Sequence, residues 1–421
     1  MMIQLPKEFI HTTKQLMGDE RFERYLHSFE EETPVSIRLN PHKRDERKEV
    51  RGERIPWCRN GYYLPSRPNF TFDPLFHAGC YYVQEAASMF LDEVLRQFLP
   101  LITSHSSLIT SLDLCAAPGG KSTLLRSVLP DDCVLYSNEP MRNRASILLE
   151  NVQKWGYENH FVTNLFPKDY RKSKMKFDLI LCDVPCSGEG MFRKDEATIK
   201  EWSPQNVEKC WQLQREIVSD AWECLNDGGI LIYSTCTFNT KENEENIRWM
   251  MDELGAKVLP VEIKPEWNIT GSLLEGFNEP IYRFIPGITR SEGLFMCVLC
   301  KGDGQIVRPR RTASPHTSDK KSARDGQKLT TLDKIPLHAD GPQIELSYPD
   351  ALAYLRHEAL VLPSDTPRGL VEVSFMGHPL GMVKNIGNRA NNLYPKEWRI
   401  KTTHVPQDYE PVLTPIEAPS E

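Results

Sequence analysis

Apolar and polar positions follow different rhythms along the chain. Residues 7 to 28 hold apolar positions at helical spacing in two short stretches broken at Gly18-Asp19, and "PVSIRLN", Pro34 to Asn40, alternates as a strand does. The stretch "FHAGCYYVQEAASMFLDEVLRQFL", Phe76 to Leu99, keeps helical spacing and predicts one helix. From about Ser111 a unit of strand, turn and helix repeats. "SLDLCAA" leads through Gly119-Gly120 into "KSTLLRSVL", "CVLYSNE" leads into "MRNRASILLENVQKWG", and "HFVTN" follows. "KFDLILCDV" and, after a helical stretch containing Trp202 to Leu225, "GGILIYSTCT" continue the series. Short β-rich runs separated by helices of this length predict a parallel sheet covered on both faces, an α/β doubly wound fold. In such a sheet, ligands bind beyond the carboxyl ends of the strands.

Composition narrows this further. A chain of 421 residues exceeds one ordinary core. It divides into an N-terminal extension (1–105), the α/β core (106–301), a connecting segment (302–340) and a C-terminal unit (341–421). Residues 301 to 330 carry eight Lys/Arg against three Asp amid Ser, Thr, Pro and Gly. They read as a flexible basic linker, either a solvated connector or an RNA contact. Beyond it, strand-like alternation broken by Gly377-His378-Pro379 predicts a small, separate β-rich domain.

No apolar run has membrane length and the N-terminus lacks a signal-peptide stretch, so a cytoplasmic protein without a membrane partner is expected. Eleven scattered cysteines, an odd number, point to reduced thiols. Cys297 and Cys300 have metal-ligand spacing, but no second pair or histidine stands near them in sequence. A buried strand is the better reading, and no metal site is expected. The net charge of −7 disfavours non-specific nucleic-acid binding, which leaves local patches to decide.

The chemistry concentrates at three predicted strand ends. "DLCAAPGGKST", Asp113 to Thr123, finishes like a phosphate-binding loop in Gly120, Lys121 and Ser122, but Cys115 stands where that loop needs its first glycine. Pro118-Gly119-Gly120 makes a turn into a helix whose free N–H groups can face a polar ligand. Glu139 closes "YSNE" where an acidic residue hydrogen-bonds a ribose diol, which suggests a nucleoside ligand. Asp183 could hold magnesium in an ATPase, yet Pro185-Cys186-Ser187-Gly188 follows it, and the fifth strand ends in Ser234-Thr235-Cys236-Thr237. Two thiols bordering one cleft give phosphoryl transfer nothing. They suit a reaction that needs an attacking thiolate. Cys182 reads as core, and Cys115 as a contributor of backbone.

"DLCAAPGGKST", "FDLILCDVPCSGEGMFRKD" and "YSTCTFNTKENEENI", in this order and spacing, resemble the Nol/Nop/Sun family of RNA cytosine-C5 methyltransferases. "PVSIRLN", "YYVQEAASM" and "RSEGLFMCVLCK" extend the resemblance over residues 5 to 301. The phrase "CSGEGMFRKD" and the C-terminal segment look most like a bacterial branch that methylates small-subunit (16S) ribosomal RNA and carries a PUA-like domain. The resemblance implies a class I, Rossmann-like core dependent on S-adenosyl-L-methionine, with an N-terminal RNA-binding extension. It implies that Cys236 adds to carbon 6 of cytosine, that Cys186 assists release, and that Asp183 lies near both the cofactor, as one of its binding residues, and the cytosine edge, where it hydrogen-bonds N3 or N4 of the ring. Lys121 is thereby reassigned from phosphate to the methyl-transfer site. Cys115, Ala116, Ala117, Pro118, Gly119, Gly120 and Lys121 match the cofactor loop, and Glu139 the ribose ligand. Where relatives often carry an acidic residue for adenine, this chain has Asn164, either an adenine contact or a plain turn residue.

The expected partner is ribosomal RNA or the small ribosomal subunit, bound by a monomer. Lys384, Arg389, Lys396, Arg399 and Lys401, interleaved with His378, Tyr394 and Trp398, are read as a phosphate- and base-binding face. The N-terminal segment containing Arg38 and Asn40 resembles the family's RNA-binding extension. The competing reading is a non-catalytic RNA-binding ribosome-assembly factor on the same fold. The presence of both motif cysteines argues against it.

Overall fold

The computed structural model describes residues 4–103, 109–302, 329–338, 341–402, 404–406 and 408–415. Most of the predicted basic linker lies outside the described residues. The chain opens with α1 (Lys7–Met17) and α2 (Asp19–His27), separated by Gly18 as the apolar spacing predicts. Strands β1 (Val35–Leu39), β2 (Lys48–Val50), β3 (Glu53–Arg54) and β4 (Gly61–Leu64) follow, then α3 (Pro74–His77), β5 (Tyr81–Val83) and α4 (Leu91–Thr103). The single helix expected over Phe76 to Leu99 is therefore wrong in its first half. Gly79 has φ +71, and a Cβ there would stand 1.9 Å from the Lys154 carbonyl oxygen, so the chain turns at this point. Tyr81–Val83, β-favouring residues, then pair with β1 in a four-stranded sheet of order β3-β4-β1-β5.

The central sheet is built from β6 (Thr110–Asp113), α5 (Gly120–Val128), β7 (Val134–Asn138), α6 (Arg142–Trp155), β8 (His160–Thr163), α7 (Pro167–Ser173) and β9 (Phe177–Asp183). It continues through α8 (Glu196–Glu201), α9 (Pro204–Cys224), β10 (Leu225–Thr235), α10 (Glu244–Leu254), β11 (Lys257–Leu259), β12 (Tyr282–Phe284) and β13 (Leu294–Cys300). Its order is β11-β13-β10-β9-β6-β7-β8, with β12 also pairing β13. Strands β6 to β10 are mutually parallel and β13 runs antiparallel.

Alternate residues of each strand enter opposite cores. Leu179 and Leu181 pack with Leu124 and Leu125 of α5, whereas Ile180 and Cys182 pack with Val218 and Ala221 of α9. Burial on both faces explains why "FDLILC" is continuously apolar. Cys297 and Cys300 are fully buried in β13. The chain order reverses direction between β6 and β9, which puts the crevice expected of a doubly wound sheet at their carboxyl ends.

The C-terminal unit holds β14 (Gln343–Glu345), α11 (Tyr348–Leu355), β15 (Gly369–Phe375), β16 (His378–Asn385) and β17 (Ala390–Asn392) in one sheet, and the chain closes on β18 (Leu413–Pro415). It is β-rich as predicted, but not separate. Leu352, Val371 and Val383 share one apolar core with Ile37, Tyr62, Phe72 and Leu75 of the N-terminal extension. β18 pairs with β2, and Tyr409 donates to Asp73 at 2.9 Å. Apolar faces on a short sheet must be covered, and these two units cover each other.

The same burial reassigns three residues. Arg38 is 2% exposed, donating to Gln84 Oε1 at 2.8 Å and Thr123 Oγ1 at 2.6 Å with its guanidinium over the Trp155 ring. Asn40 donates to the carbonyls of Gly79 and Trp155. Both residues join the extension to the α/β core and are not placed to meet RNA. Tyr394 is 2% exposed against Tyr354, so it is core and not a stacking platform. Lys384, Arg389, Lys396, Arg399 and Lys401 are exposed. Residues 329–338 are not loose either: Thr331 bridges Thr163 at the β8 edge, and Leu332 packs against Ala116 and Ala117.

Candidate active site

A cavity of about 450 Å³ opens at the carboxyl ends of β6, β9 and β10. Cys115, Ala116, Ala117, Pro118, Gly120 and Lys121 line one side, Asp183 and Cys236 another, and Tyr82 to Glu85 of the N-terminal extension close it. Of the predicted residues, Gly119, Glu139, Asn164 and Cys186 are not in its lining. A hollow of about 580 Å³ around Lys7, His11 and Lys14 contains none of the predicted residues.

Asp183 is held from both sides. Lys121 Nζ lies 2.9 Å from its Oδ2, and Ser234 Oγ donates to its Oδ1 at 2.6 Å. The register that pairs Ser234 with Asp183 on adjacent strands fixes the second contact. Burial lowers the pKa of the Lys121 ammonium, but the Asp183 charge and hydrogen bond outweigh it and the net direction is upward. Lys121 thus stays charged beside Asp183.

The two thiols, 50 residues apart in sequence, meet with Cys186 Sγ 3.2 Å from Cys236 Sγ, and the Cys236 backbone N–H points at Cys186 Sγ from 3.3 Å. The hydrogen bond to Cys236, reinforced by burial, pushes the Cys186 thiol well above its ordinary range. Cys236 faces the cavity, and Cys186 stands behind it as a protonated neighbour. Two carboxylates lock their loops reciprocally. Glu189, three residues after Cys186, accepts from the Phe238 and Asn239 N–H groups at 2.8 Å each. Glu242, six residues after Cys236, accepts from Ser187 N–H at 3.0 Å and Gln214 at 2.7 Å. Gly190 N–H donates to the Cys236 carbonyl at 2.8 Å, and Gly293 N–H to that of Gly190 at 3.2 Å.

Glu139 is buried beside the cavity, with Met141 N–H on Oε1 at 2.9 Å and Arg144 3.2 Å from Oε2. Asn164 donates to the carbonyls of Glu139 and Pro140, so here it fastens the turn after β7. Sequence reasoning passed over Asp113, Tyr82, Gln84, Met191 and Glu292, all of which line the cavity. Asp113 is fully buried, accepting from Ser122 Oγ at 2.5 Å on one oxygen while the other has no hydrogen-bond partner among the described residues. Burial, opposed by the Ser122 hydrogen bond, pushes its carboxyl up to about 7. Its signal in the sequence is a carboxylate at the last residue of the predicted strand, just before the Cys115 loop. No group of three or more His, Cys, Asp or Glu among the described residues could hold a metal, and no helix among them is long and apolar enough to cross a membrane.

Three family models match successive stretches: the N-terminal domain of 16S rRNA methyltransferase RsmF over residues 5–86, 16S rRNA methyltransferase RsmB/F over 104–300, and the methyltransferase RsmF PUA domain over 342–400. The ribosomal RNA small subunit methyltransferase F of Shewanella loihica is 27% identical over 94% of this chain and 96% of its own length. Its counterpart from Cronobacter sakazakii is 28% identical over 82% and 84%. A crystal structure of a methyltransferase homolog protein from Pyrococcus horikoshii superposes with a TM-score of 0.58 at 26% identity, covering 71% of this chain and 96% of that one.

Proposed function

Because the chain belongs to the RsmB/F family of 16S rRNA methyltransferases, we propose that it methylates carbon 5 of a cytosine in small-subunit ribosomal RNA through a covalent bond between Cys236 and carbon 6. The observation that carries this reading is the pair of thiols 3.2 Å apart, one facing the cavity and one behind it. Carbon 5 of cytosine is too weak a nucleophile to take a methyl group directly. Addition of the Cys236 thiolate to carbon 6 turns the ring into an enamine whose carbon 5 can attack. Asp183, clamped by Lys121 and Ser234, is a preorganised acceptor for the polar edge of the base. The Cys186 thiol, hydrogen-bonded to Cys236, stabilises the departing thiolate and so favours release.

S-adenosyl-L-methionine, when bound, supplies an electrophilic sulfonium methyl group. The residues present suit it: Cys115 to Pro118, Gly120 and Lys121 line the cavity, free N–H groups open α5, and the partnerless Asp113 oxygen suits an ammonium group. The PUA match and the exposed cations of residues 384–401 support ribosomal RNA as the partner.

Replacing each cysteine separates attack from release. Cys186→Ala should accumulate an enzyme–RNA adduct that survives denaturing electrophoresis, and Cys236→Ala should form none and show no activity. Bisulfite sequencing of 16S ribosomal RNA should report one or more methylated cytosines that depend on Cys236. An adduct formed by Cys236→Ala instead would exchange the two roles.

A further inference from the structure

Glu292 lies two residues before β13 and lines the same cavity as Cys236 and Asp183. It is 1% exposed, and neither of its carboxyl oxygens has a hydrogen-bond partner among the described residues. Its nearest ion-pair partner, Arg193, stands 3.5 Å from Oε1. A buried carboxyl in this condition is costly and calls for a missing partner.

Its backbone, by contrast, is tightly fixed. Glu292 N–H donates to Glu85 Oε1 at 2.8 Å, and Glu85 Oε2 accepts from Ser88 N–H at 3.0 Å. One residue on, Gly293 is hydrogen-bonded to Gly190, which in turn is hydrogen-bonded to the Cys236 carbonyl. Glu292 is therefore held in register with the attacking thiol while its own carboxyl remains unsatisfied.

Thiolate addition to carbon 6 drives an electron pair onto N3 of the cytosine, and that nitrogen needs a proton. Asp183 is poorly suited to give one, since both its oxygens are already engaged, one by Lys121 Nζ and the other by Ser234 Oγ. We propose that Glu292 is a catalytic residue of the target-base subsite, hydrogen-bonding N3 of the cytosine and giving it a proton as Cys236 adds. The inference rests on the methyltransferase reading above. Burial raises the Glu292 pKa, opposed by Arg193 and Lys194 and aided by Glu85, with a net upward direction.

The electrons balance without another reagent. The S–C6 bond forms, the C5=C6 pair becomes C4=C5, and the C4=N3 pair moves to N3, which takes the Glu292 proton. After carbon 5 has gained its methyl group and lost its hydrogen to water, C5=C6 and C4=N3 re-form. The thiolate leaves, and the N3 proton returns to Glu292.

The test uses full-length Glu292→Gln, whose amide can hydrogen-bond N3 but cannot supply an acidic proton, with 16S RNA transcribed with cytidine or with 5-azacytidine. A ring nitrogen at position 5 makes carbon 6 more electrophilic and lessens the need for acid at N3. Cytidine methylation should fall about 10²-fold or more, while capture of the 5-azacytidine RNA falls less than about tenfold and calorimetric affinity for S-adenosyl-L-methionine is unchanged. Methylation near the wild-type rate, or equal losses on both RNAs, would overturn the proposal. Glu292→Asp, which keeps the acid, should retain more cytidine methylation than Glu292→Gln, and the reverse order would also overturn it. If the wild-type protein neither methylates nor captures either RNA, the methyltransferase reading itself fails and the inference falls with it.

Discussion

Gly293→Ala offers a direct test of how the cysteine loop is positioned. A Cβ at residue 293 would lie 2.5 Å from Gly190 Cα and 2.7 and 2.8 Å from two ring carbons of Phe238. Carbon atoms in good contact sit at about 3.5–4.0 Å, so the two loops must separate by about 1 Å. Neither can yield alone, because Gly190 is hydrogen-bonded to the Cys236 carbonyl and the Phe238 N–H is held by Glu189. Overpacking of this kind costs about 1–3 kcal/mol of stability. A displacement of about 1 Å at an attacking atom costs about 10²-fold in rate. Urea unfolding should report the first loss, and methyl incorporation into 16S RNA, measured well below the unfolding midpoint, the second. Gly271→Ala, where the new methyl would meet nothing within 4 Å, should change stability by less than about 0.5 kcal/mol. If Gly293→Ala loses the expected stability but turns over within about threefold of wild type, the glycine contact serves packing alone and the positioning argument is refuted.

Two further substitutions probe buried charge. Arg38→Met removes hydrogen bonds to Gln84, Thr123 and the Gly120 carbonyl and should cost roughly 3 kcal/mol in urea unfolding, while leaving the salt dependence of RNA binding unchanged. A drop of about one in that slope would put Arg38 on a phosphate. Asp113 holds its proton to about pH 7 in the folded chain, against an ordinary value of 3.8. The folded state therefore binds more protons across that window, and stability falls as pH rises from about 4 to 7, at up to about 1.4 kcal/mol per pH unit. Asp113→Asn should gain on wild type over the same window and show a constant difference above it. A difference independent of pH would show that Asp113 ionises normally.

Sequence patterning alone determined strands β6 to β10 of the central sheet with helices α5, α6 and α9, the doubly wound class, and the loops that carry Cys115 to Lys121, Asp183, Cys186 and Cys236. Those features are local. A run such as "FDLILC" has strand-forming residues whichever neighbours it meets, and turn residues mark its end. The same locality misled at Phe76 to Leu99, where helical spacing continued across Gly79 although the Lys154 carbonyl excludes any side chain there. Arg38 and Asn40 lie in a segment that resembles an RNA-binding extension, and Tyr394 read as a base contact because aromaticity suggests a contact without saying with what. The structure spends them on joining the extension to the core and on the interior of the C-terminal unit.

Only the tertiary structure decided that the two end units share one apolar core, that Cys186 meets Cys236, and that Glu292 lines the same cavity as Cys236. Each depends on which faces and strand ends become neighbours. β9 and β10 lie side by side, and β13 enters antiparallel beside β10, so residues 186, 236 and 292 converge at one rim of the sheet. Strand adjacency is a long-range choice set by total burial and hydrogen-bond satisfaction, and no local period in the chain encodes it.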